Sequence, residues 1–163
     1  MAIITTPNGH GMYADETTRD GVIRYILNPD KVRSGYWGGA SVDLTDPVGY
    51  MEKVAQRFGK DSGVRLRHFV ISFHPLELDD AETADEIAQR VVDYIGQEYP
   101  ALYGVHEDKE HLHFHIAMNA VSHGDGHRYR GSKREFYALL NAIKDVLEDY
   151  GIFSLHYVSA YSK

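Results

Sequence analysis

The segment HLHFHIAMN at residues 111–119 alternates between two kinds of side chain. One set of alternate positions is apolar: Leu112, Phe114, Ile116 and Met118. The other set is His111, His113, His115, Ala117 and Asn119. Because successive side chains of a strand point to opposite faces of a sheet, the alternation predicts a strand with one buried apolar face and one face that carries histidines.

The remaining elements are predicted from similar patterns on either side of this strand. Strands are predicted at about 2–5, 66–74, 101–106 and 152–158, with a tight turn at 107–110. Helices are predicted over about 17–27, 46–59, 80–96 and 132–151, and the glycine- and serine-rich residues 34–46 are predicted to form a loop. Short turns between strands favour antiparallel neighbours, so we expect an α+β layered fold.

The composition fits one domain. The chain has 163 residues, of which 43% are hydrophobic and 25% charged, so we expect a single domain over 1–163. It contains no cysteine, which excludes a disulfide scaffold, a thiolate zinc site and a cysteine nucleophile. No apolar run approaches the roughly 18 residues of a membrane span, and the first residues lack the pattern of a signal peptide. We therefore expect a cytoplasmic protein without membrane insertion.

The charge of the chain is unevenly distributed. The formal net charge is −7, and the segment from Glu77 to Glu98 alone carries eight acidic residues against one base, Arg90. The rest of the chain has equal numbers of acidic and basic residues. One acidic helix can face away from a polyanion, so the net charge does not exclude a nucleic-acid ligand.

Three histidines are spaced to converge on one site. His113 and His115 share a strand face, and His106 precedes the turn that leads into this strand. If strands 101–106 and 111–119 pair as a hairpin, His106 comes back beside the other two in an H-x6-H-x-H pattern. Three neutral imidazoles suit a transition or borderline divalent metal and leave coordination positions open, which is typical of catalytic sites. The alternative is a set of ordinary polar residues on an exposed sheet face.

Other polar residues flank this cluster. Asn119 ends the same strand face, where it either hydrogen-bonds a ligand or simply finishes the strand. Asp108 and Glu110 lie in the turn beside the histidines. A carboxylate at either position can orient a ligand histidine or accept a proton, or it can serve only as a turn residue.

A basic loop follows the histidine strand. Its cations are Arg128, Arg130, Lys133 and Arg134, with Tyr129 interleaved. Phosphates of DNA could bind these cations and the adjacent helix-terminal amides, and bases could stack on the tyrosine ring. The alternative is a solvated loop.

Three segments resemble motifs of plasmid mobilisation relaxases, a branch of the HUH endonucleases. Residues 104–119, GVHEDKEHLHFHIAMN, resemble the third motif, in which a histidine and an aspartate precede an H-x-H strand that ends in asparagine. Residues 67–73, RHFVISF, are similar to the second motif, whose serine lies by the DNA. Residues 22–31, VIRYILNPDK, are similar to the first motif, which has a tyrosine on an early helix. The resemblance covers most of residues 20–152.

The resemblance implies a fold and a reaction. The fold would be a central antiparallel sheet flanked by helices, as in HUH and Rep-like relaxases. The reaction would be metal-dependent cleavage of one DNA strand at an origin of transfer by a tyrosine hydroxyl, which leaves a 5′-phosphotyrosyl enzyme and initiates conjugative mobilisation. The metal would be Mn²⁺ or Mg²⁺, with Zn²⁺ or another transition metal as the alternative. Accessory mobilisation proteins would act with the enzyme on single-stranded DNA.

The same motifs imply roles for individual residues. They make Tyr25 the nucleophile, His106, His113 and His115 the metal ligands, and Ser72 a residue that contacts or positions DNA. Tyr25 projects away from the apolar stripe of its helix, in the last turn before Pro29. A tyrosine has a pKa near 10 and needs a nearby cation or a base, for which Asp108 is the candidate. Tyr13 and Tyr36 are the reserve nucleophiles.

Two other classes of function fit these residues. A small metal-dependent phosphodiester hydrolase would use metal-bound water and form no covalent intermediate. A non-catalytic module would bind DNA or metal and never form an adduct. Rolling-circle initiators and single-strand transposases are closer in class, but their tyrosine usually follows the H-x-H strand, whereas Tyr25 precedes it.

Overall fold

A mixed sheet with helices on both faces organises the residues that the computed structural model describes, which are 2–7, 12–13, 16–107 and 111–159. The strands are β1 (Ala2–Thr6), β2 (Met12–Tyr13), β3 (Val32–Ala40), β4 (Leu66–Phe73), β5 (Ala101–His106), β6 (His113–Asn119) and β7 (Leu155–Ser159). The helices are α1 (Glu16–Ile26), α2 (Pro47–Arg57), α3 (Ala81–Ile95) and α4 (Lys133–Glu148). Within these ranges no helix is long and apolar enough to cross a membrane.

The histidine-bearing strand β6 lies inside the sheet, between β5 and β4. The strand order is β3-β5-β6-β4-β1-β7, and the short strand β2 pairs with β4. Among the described strands, β1 and β7 pair in parallel and all other pairs are antiparallel. The predicted α+β class and the central antiparallel sheet flanked by helices are therefore confirmed, except that β1 and β7 pair in parallel at one edge.

One face of β6 is part of the main core. Phe114, Ile116 and Met118 are buried there against apolar residues of α3 and α4. The helix α3 contributes Ala84, Ile87, Ala88, Val91, Val92 and Ile95, and α4 contributes Leu139, Leu140, Ile143, Val146 and Leu147. Burial of a large apolar side chain contributes roughly 1.5–3 kcal/mol, so this face fixes the position of β6 strongly.

The other face of the sheet is covered in part by α1 and α2. A smaller apolar cluster there contains Ile23, Ile26, Met51, Leu66, Leu102 and Ala117. This cluster holds α1 against the middle strands of the sheet. As a result, the C-terminal end of α1 lies beside the histidines of β5 and β6.

The starts of the two helices predicted at about 46–59 and 132–151 are confirmed. Asp46 caps α2 by accepting a hydrogen bond from the backbone N–H of Gly49, and Pro47 occupies the first turn. Ser132 and Glu135 form a capping box at the start of α4. Such caps are hydrogen bonds between near neighbours in sequence, which is why local sequence predicts them.

The loop predicted at 34–46 is wrong for its first half. Val32–Ala40 forms β3, which pairs with β5 at the edge of the sheet, and its register shifts between Val32 and Trp37. Glycines lower strand propensity, so this segment has the composition of a loop. In the structure Gly38 makes room for α3, because a Cβ there would lie 2.6 Å from Oε1 of Gln89 on α3 and 3.0 Å from the ring of Tyr103. The predicted strand at 111–119 also begins later, at His113.

Candidate active site

The three predicted metal ligands come together on one face of the sheet. His106 of β5 pairs with His113 of β6, and His115 follows two residues later on the same strand face. All three side chains are buried. One ring nitrogen from each residue lies within 4.8 Å of those of the other two. The hairpin that the sequence predicted therefore does create a cluster with the geometry of a metal centre.

Each ring of this cluster is held by a hydrogen bond through its other nitrogen. His106 Nε2 donates to the backbone carbonyl of Ile26 at 2.9 Å, and His113 Nδ1 donates to the carbonyl of His111 at 3.0 Å. His115 Nδ1 pairs with His68 Nε2 at 2.8 Å. The nitrogens left facing one another are His106 Nδ1, His113 Nε2 and His115 Nε2. Metal-binding histidines are characteristically oriented in this way by a partner on the second nitrogen.

His68 is a member of the site that sequence reasoning missed. It lies on β4, and its ring stacks on that of His115 with the centroids 5.1 Å apart. Burial, and secondarily the charge of His106, lowers the pKa of His68 to about 4. A neutral imidazole at this place can orient His115 without adding charge. In the sequence, His68 is linked to the site only because it shares a strand face with Ser72. The pairing of β4 with β6 is needed to show that this face adjoins His115.

The donor set fits a divalent metal ion. Three imidazole nitrogens without a thiolate suit a transition or borderline ion such as Zn²⁺, and they suit it better than Mg²⁺, which prefers oxygen ligands. Three ligands also leave positions open for a substrate. Burial favours the neutral form of the rings, which is the form that binds a metal.

Tyr25 lies at the last turn of α1, directly over the histidines. Its ring centroid is 5.3 Å from those of both His106 and His115. The side chain is 37% exposed, so an incoming ligand can reach it. Of the two reserve nucleophiles, Tyr36 packs against the main core on the other face of the sheet, and the side chain of Tyr13 lies outside the described residues.

A glycine allows the end of α1 to approach so closely. Gly104 of β5 is the cross-strand neighbour of His115. A Cβ on Gly104 would lie 2.3 Å from the carbonyl oxygen of Ile26, the same oxygen that accepts the hydrogen bond from His106. The helix therefore rests on bare backbone, and any side chain at this position would push Tyr25 and its helix away from the cluster.

The other predicted site residues divide into two groups. Ser72 is half-buried on β4 as the cross-strand partner of His113, so it lies at the edge of the histidine cluster. Asn119 is buried far along β6, where its amide donates to the carbonyls of Met51 and Val121 and so finishes the strand. Asp108 and Glu110 lie outside the described residues.

The basic loop does not join the histidine cluster. Arg130, Lys133 and Arg134 are exposed at the start of α4, which packs on the opposite face of the sheet. The guanidinium of Arg128 instead donates to the backbone carbonyls of Lys60, Ser62 and Val64.

The expectation that bases stack on Tyr129 is wrong. This ring is buried in the main core, and the guanidinium of Arg67 lies 5.2 Å from its centroid. The ring is therefore too little exposed to offer a base a free face. An alternation of cations and aromatics in a loop cannot reveal which of the side chains point inward.

Comparisons with known proteins identify relatives over most of the chain. Residues 25–152 match the family model described as relaxase, MobA/VirD2-like, nuclease domain. The chain is 26% identical over 126 residues to the protein Rlx of Staphylococcus aureus, which covers 77% of this chain and 39% of Rlx. It is 30% identical over 115 residues to the protein TraI of Escherichia coli, which covers 66% of this chain and 15% of TraI. The chain thus corresponds to less than half the length of either relative.

One solved structure is also similar. It is a chain described under "Molecular Basis of Vancomycin Resistance Transfer in Staphylococcus aureus", with a TM-score of 0.46 and 17% sequence identity. The match covers 72% of this chain and 69% of that chain.

Proposed function

The chain belongs to the MobA/VirD2-like relaxase family, and on that basis we propose that it nicks and transfers one strand of DNA in a metal-dependent transesterification. The substrate would be single-stranded DNA at an origin of transfer, and the outcome would be conjugative mobilisation of a plasmid or integrative element. Accessory mobilisation proteins would act with it. The observation that carries the proposal is the position of Tyr25, whose ring lies 5.3 Å from the rings of His106 and His115.

The proposed reaction begins with a phosphate placed between Tyr25 and the histidines. A divalent ion held by His106, His113 and His115 would neutralise a non-bridging oxygen of that phosphate and hold it in line with the attacking oxygen. The hydroxyl oxygen of Tyr25 forms a bond to phosphorus while the bond from phosphorus to the 3′ oxygen breaks. The phenolic proton passes to a base, for which we propose Asp108, and the departing oxygen takes up a proton to become a 3′-OH.

A tyrosine nucleophile makes the step reversible. The phosphotyrosyl bond retains the energy of the phosphodiester, so a 3′-OH can attack it and restore the DNA strand. Hydrolysis by metal-bound water would lose that energy. The chemistry of Tyr25 therefore favours strand transfer over simple cleavage.

The remaining polar residues would contact different parts of the DNA strand. Ser72, beside His113 at the rim of the cluster, would contact the strand close to the scissile phosphate. The exposed cations Arg130, Lys133 and Arg134 would contact the backbone farther away, past the Asn119 end of β6. Arg128 is left out of this set, because its guanidinium donates hydrogen bonds to three backbone carbonyls of the protein.

The test is formation of a covalent adduct. The protein is mixed with single-stranded DNA from the region upstream of its own gene and with Mn²⁺, and an SDS-resistant protein–DNA species is sought and mapped by mass spectrometry. We expect an adduct on Tyr25 that disappears with a chelator and in the variant Tyr25→Phe. The matched control is Tyr137→Phe, an exposed tyrosine of α4 on the other side of the sheet, which should leave the adduct unchanged.

Other outcomes separate the alternatives. An adduct on Tyr13 or Tyr36 would keep the class of enzyme and refute the nucleophile. Cleavage without any adduct would favour the hydrolase that uses metal-bound water. Binding of DNA without cleavage, together with a Tyr25→Phe variant that behaves like the parent protein, would favour a non-catalytic module.

A further inference from the structure

An exposed tryptophan lies on the same face of the sheet as the proposed metal centre. Trp37 is the only tryptophan of the chain, and it is 44% exposed although it belongs to strand β3. An aromatic ring that is open to solvent beside a nucleic-acid site offers a face on which a base can stack. Neither the proposed nucleophile nor the metal ligands account for this residue.

The register of the strands places Trp37 in line with the histidines. Trp37 is paired with Gly104 of β5, and Gly104 is paired with His115 of β6. Paired residues of neighbouring strands lie on the same face of a sheet. The three positions therefore form one row, and with strands about 4.8 Å apart, the Cα atom of Trp37 is roughly 10 Å from that of His115.

Packing on the other face supports this orientation. The next residue, Gly38, faces α3, where an added Cβ would meet the side chains of Gln89 and Tyr103. Side chains alternate along a strand, so Trp37 points away from α3 and toward the face that carries α1. Between Trp37 and His115 lies Gly104, over which the carbonyl of Ile26 and the side chain of Val32 pack, so Trp37 lies at the rim of the site, across the end of α1 from His115.

We propose that Trp37 is a stacking platform for a base of the single-stranded DNA whose phosphate lies at the histidine cluster. This inference rests on the proposed function, since it names a contact for the same substrate. Every base has a π-face, so a tryptophan at the rim of the site can hold a nucleotide next to the scissile phosphate whatever its sequence. The indole ring would thereby fix the direction in which the strand leaves the metal centre.

The single tryptophan makes the proposal directly measurable. Intrinsic fluorescence at tryptophan wavelengths reports on Trp37 alone. The variant Tyr25→Phe in a chelator cannot form the proposed adduct, so binding is observed without chemistry. Titration with an unlabelled oligonucleotide from the region upstream of the gene should quench the emission in a saturable way. An abasic oligonucleotide of the same length keeps the phosphates and removes the bases, and it should bind with little quenching.

Variants give the affinity that depends on stacking. Trp37→Ala should weaken binding of the fluorescently labelled oligonucleotide about 10-fold, within the range known for loss of one stacked base. Trp37→Phe, which keeps a ring, should retain most of the affinity and shows whether the fold tolerates change at this position. The matched control is Phe153→Ala, an exposed aromatic just before β7 at the opposite edge of the sheet, which should bind like the parent protein.

The outcomes separate this inference from the proposed function. If the parent protein forms the adduct on Tyr25 but DNA neither quenches Trp37 nor binds less tightly to Trp37→Ala, the stacking platform is refuted and the relaxase reaction stands. If quenching and the loss in Trp37→Ala are observed without any adduct, Trp37 contacts DNA and the proposed reaction fails. Equal quenching by the abasic strand would refute stacking, because the phosphates alone would then account for the change in the emission of Trp37.

Discussion

Two histidine sites in the described part of the chain are built from the same side chain and lie in opposite electrostatic surroundings. The site cluster (His106, His113 and His115) is buried, and its partners are carbonyl groups and the neutral ring of His68. The loop cluster consists of His127 and its hydrogen-bond partners Asp125, Glu98 and Tyr99. His127 lies in the loop after β6, and its side chain is 44% exposed. The hydrogen bond to Asp125, with a smaller contribution from Glu98, raises the pKa of His127 above its usual value.

The difference indicates which surroundings make an imidazole available to a metal ion. Burial among neutral partners keeps an imidazole uncharged and fixes which nitrogen is available. Carboxylates and water stabilise the protonated form of an imidazole. Such a ring can form ion pairs with acidic side chains near the loop, as His127 does with Asp125 and Glu98 when it is protonated. In the sequence, the histidines of both sites belong to one hairpin or to the loop that follows it, so the count of histidines alone does not identify a metal centre.

Removal of a histidine from each cluster should give the largest contrast. His113→Ala deletes one of the three proposed ligands, and we expect the affinity for Mn²⁺ or Zn²⁺ in isothermal titration calorimetry to fall by more than about 100-fold, since loss of a supporting group alone costs roughly 10- to 100-fold. His127→Ala is the matched control and should bind the metal like the parent protein. Equal losses in both variants would mean that the metal is not held by the site cluster.

Gly104→Ala tests whether the approach of α1 is part of the site. The added methyl would lie 2.3 Å from the carbonyl oxygen of Ile26 and should displace the end of the helix with Tyr25. A shift of about 1 Å in a reacting group can cost on the order of 100-fold in rate, so we expect a comparable loss in the rate of adduct formation. The matched control is Gly21→Ala on the same helix, where a Cβ meets nothing within 4 Å and the protein should be slightly more stable.

Arg128→Ala tests whether Arg128, the neighbour of His127, stabilises the fold or binds DNA. Its guanidinium donates to the carbonyls of Lys60, Ser62 and Val64, so its loss should lower the free energy of unfolding by about 2 kcal/mol in urea denaturation. The affinity for single-stranded DNA should change little. Arg130→Ala removes an exposed cation of the same loop. It should weaken the binding of single-stranded DNA and leave the free energy of unfolding nearly unchanged. Weaker DNA binding by Arg128→Ala at unchanged stability would restore the role predicted from the sequence.

His127→Gln should have the smallest effect, and the effect should depend on pH. Because the pKa of His127 is higher in the folded protein than in the unfolded chain, its contribution to stability is fully present below about pH 6.5 and is lost as the pH rises through the folded value. The pair is exposed, so we expect a difference of less than about 1 kcal/mol between parent and variant at pH 5.5 and none at pH 9. A difference that grows with pH would contradict this assignment.

The parts of the molecule that local patterns determine were predictable. Alternation gave the histidine strand, a short turn gave the hairpin that brings His106 to His113, and capping residues gave the starts of α2 and α4. These features depend on neighbours within a few residues. The triad was accessible to sequence reasoning because all three of its members lie on one hairpin.

What was missed depends on contacts between segments that are distant in sequence. His68 reaches His115 only through the pairing of β4 with β6, and Gly104 matters only because α1 comes back over β5. The glycines of β3 suggest a loop when the sequence is considered alone. Their role becomes visible only in the packing of α3 against this strand. The inward direction of Arg128 was equally invisible, since a basic loop has the same sequence whether its cations face DNA or the protein.

The central claim is that the hydroxyl of Tyr25, rather than water, attacks the phosphate over the site cluster. A single-turnover cleavage of single-stranded DNA in water enriched in ¹⁸O, with the products analysed by mass spectrometry, tests this most directly. The account predicts that the 5′-phosphate appears on Tyr25 with no ¹⁸O and that no free 5′-phosphate precedes it. A free 5′-phosphate that carries one ¹⁸O, released at the same rate by the parent protein and by Tyr25→Phe, would contradict it.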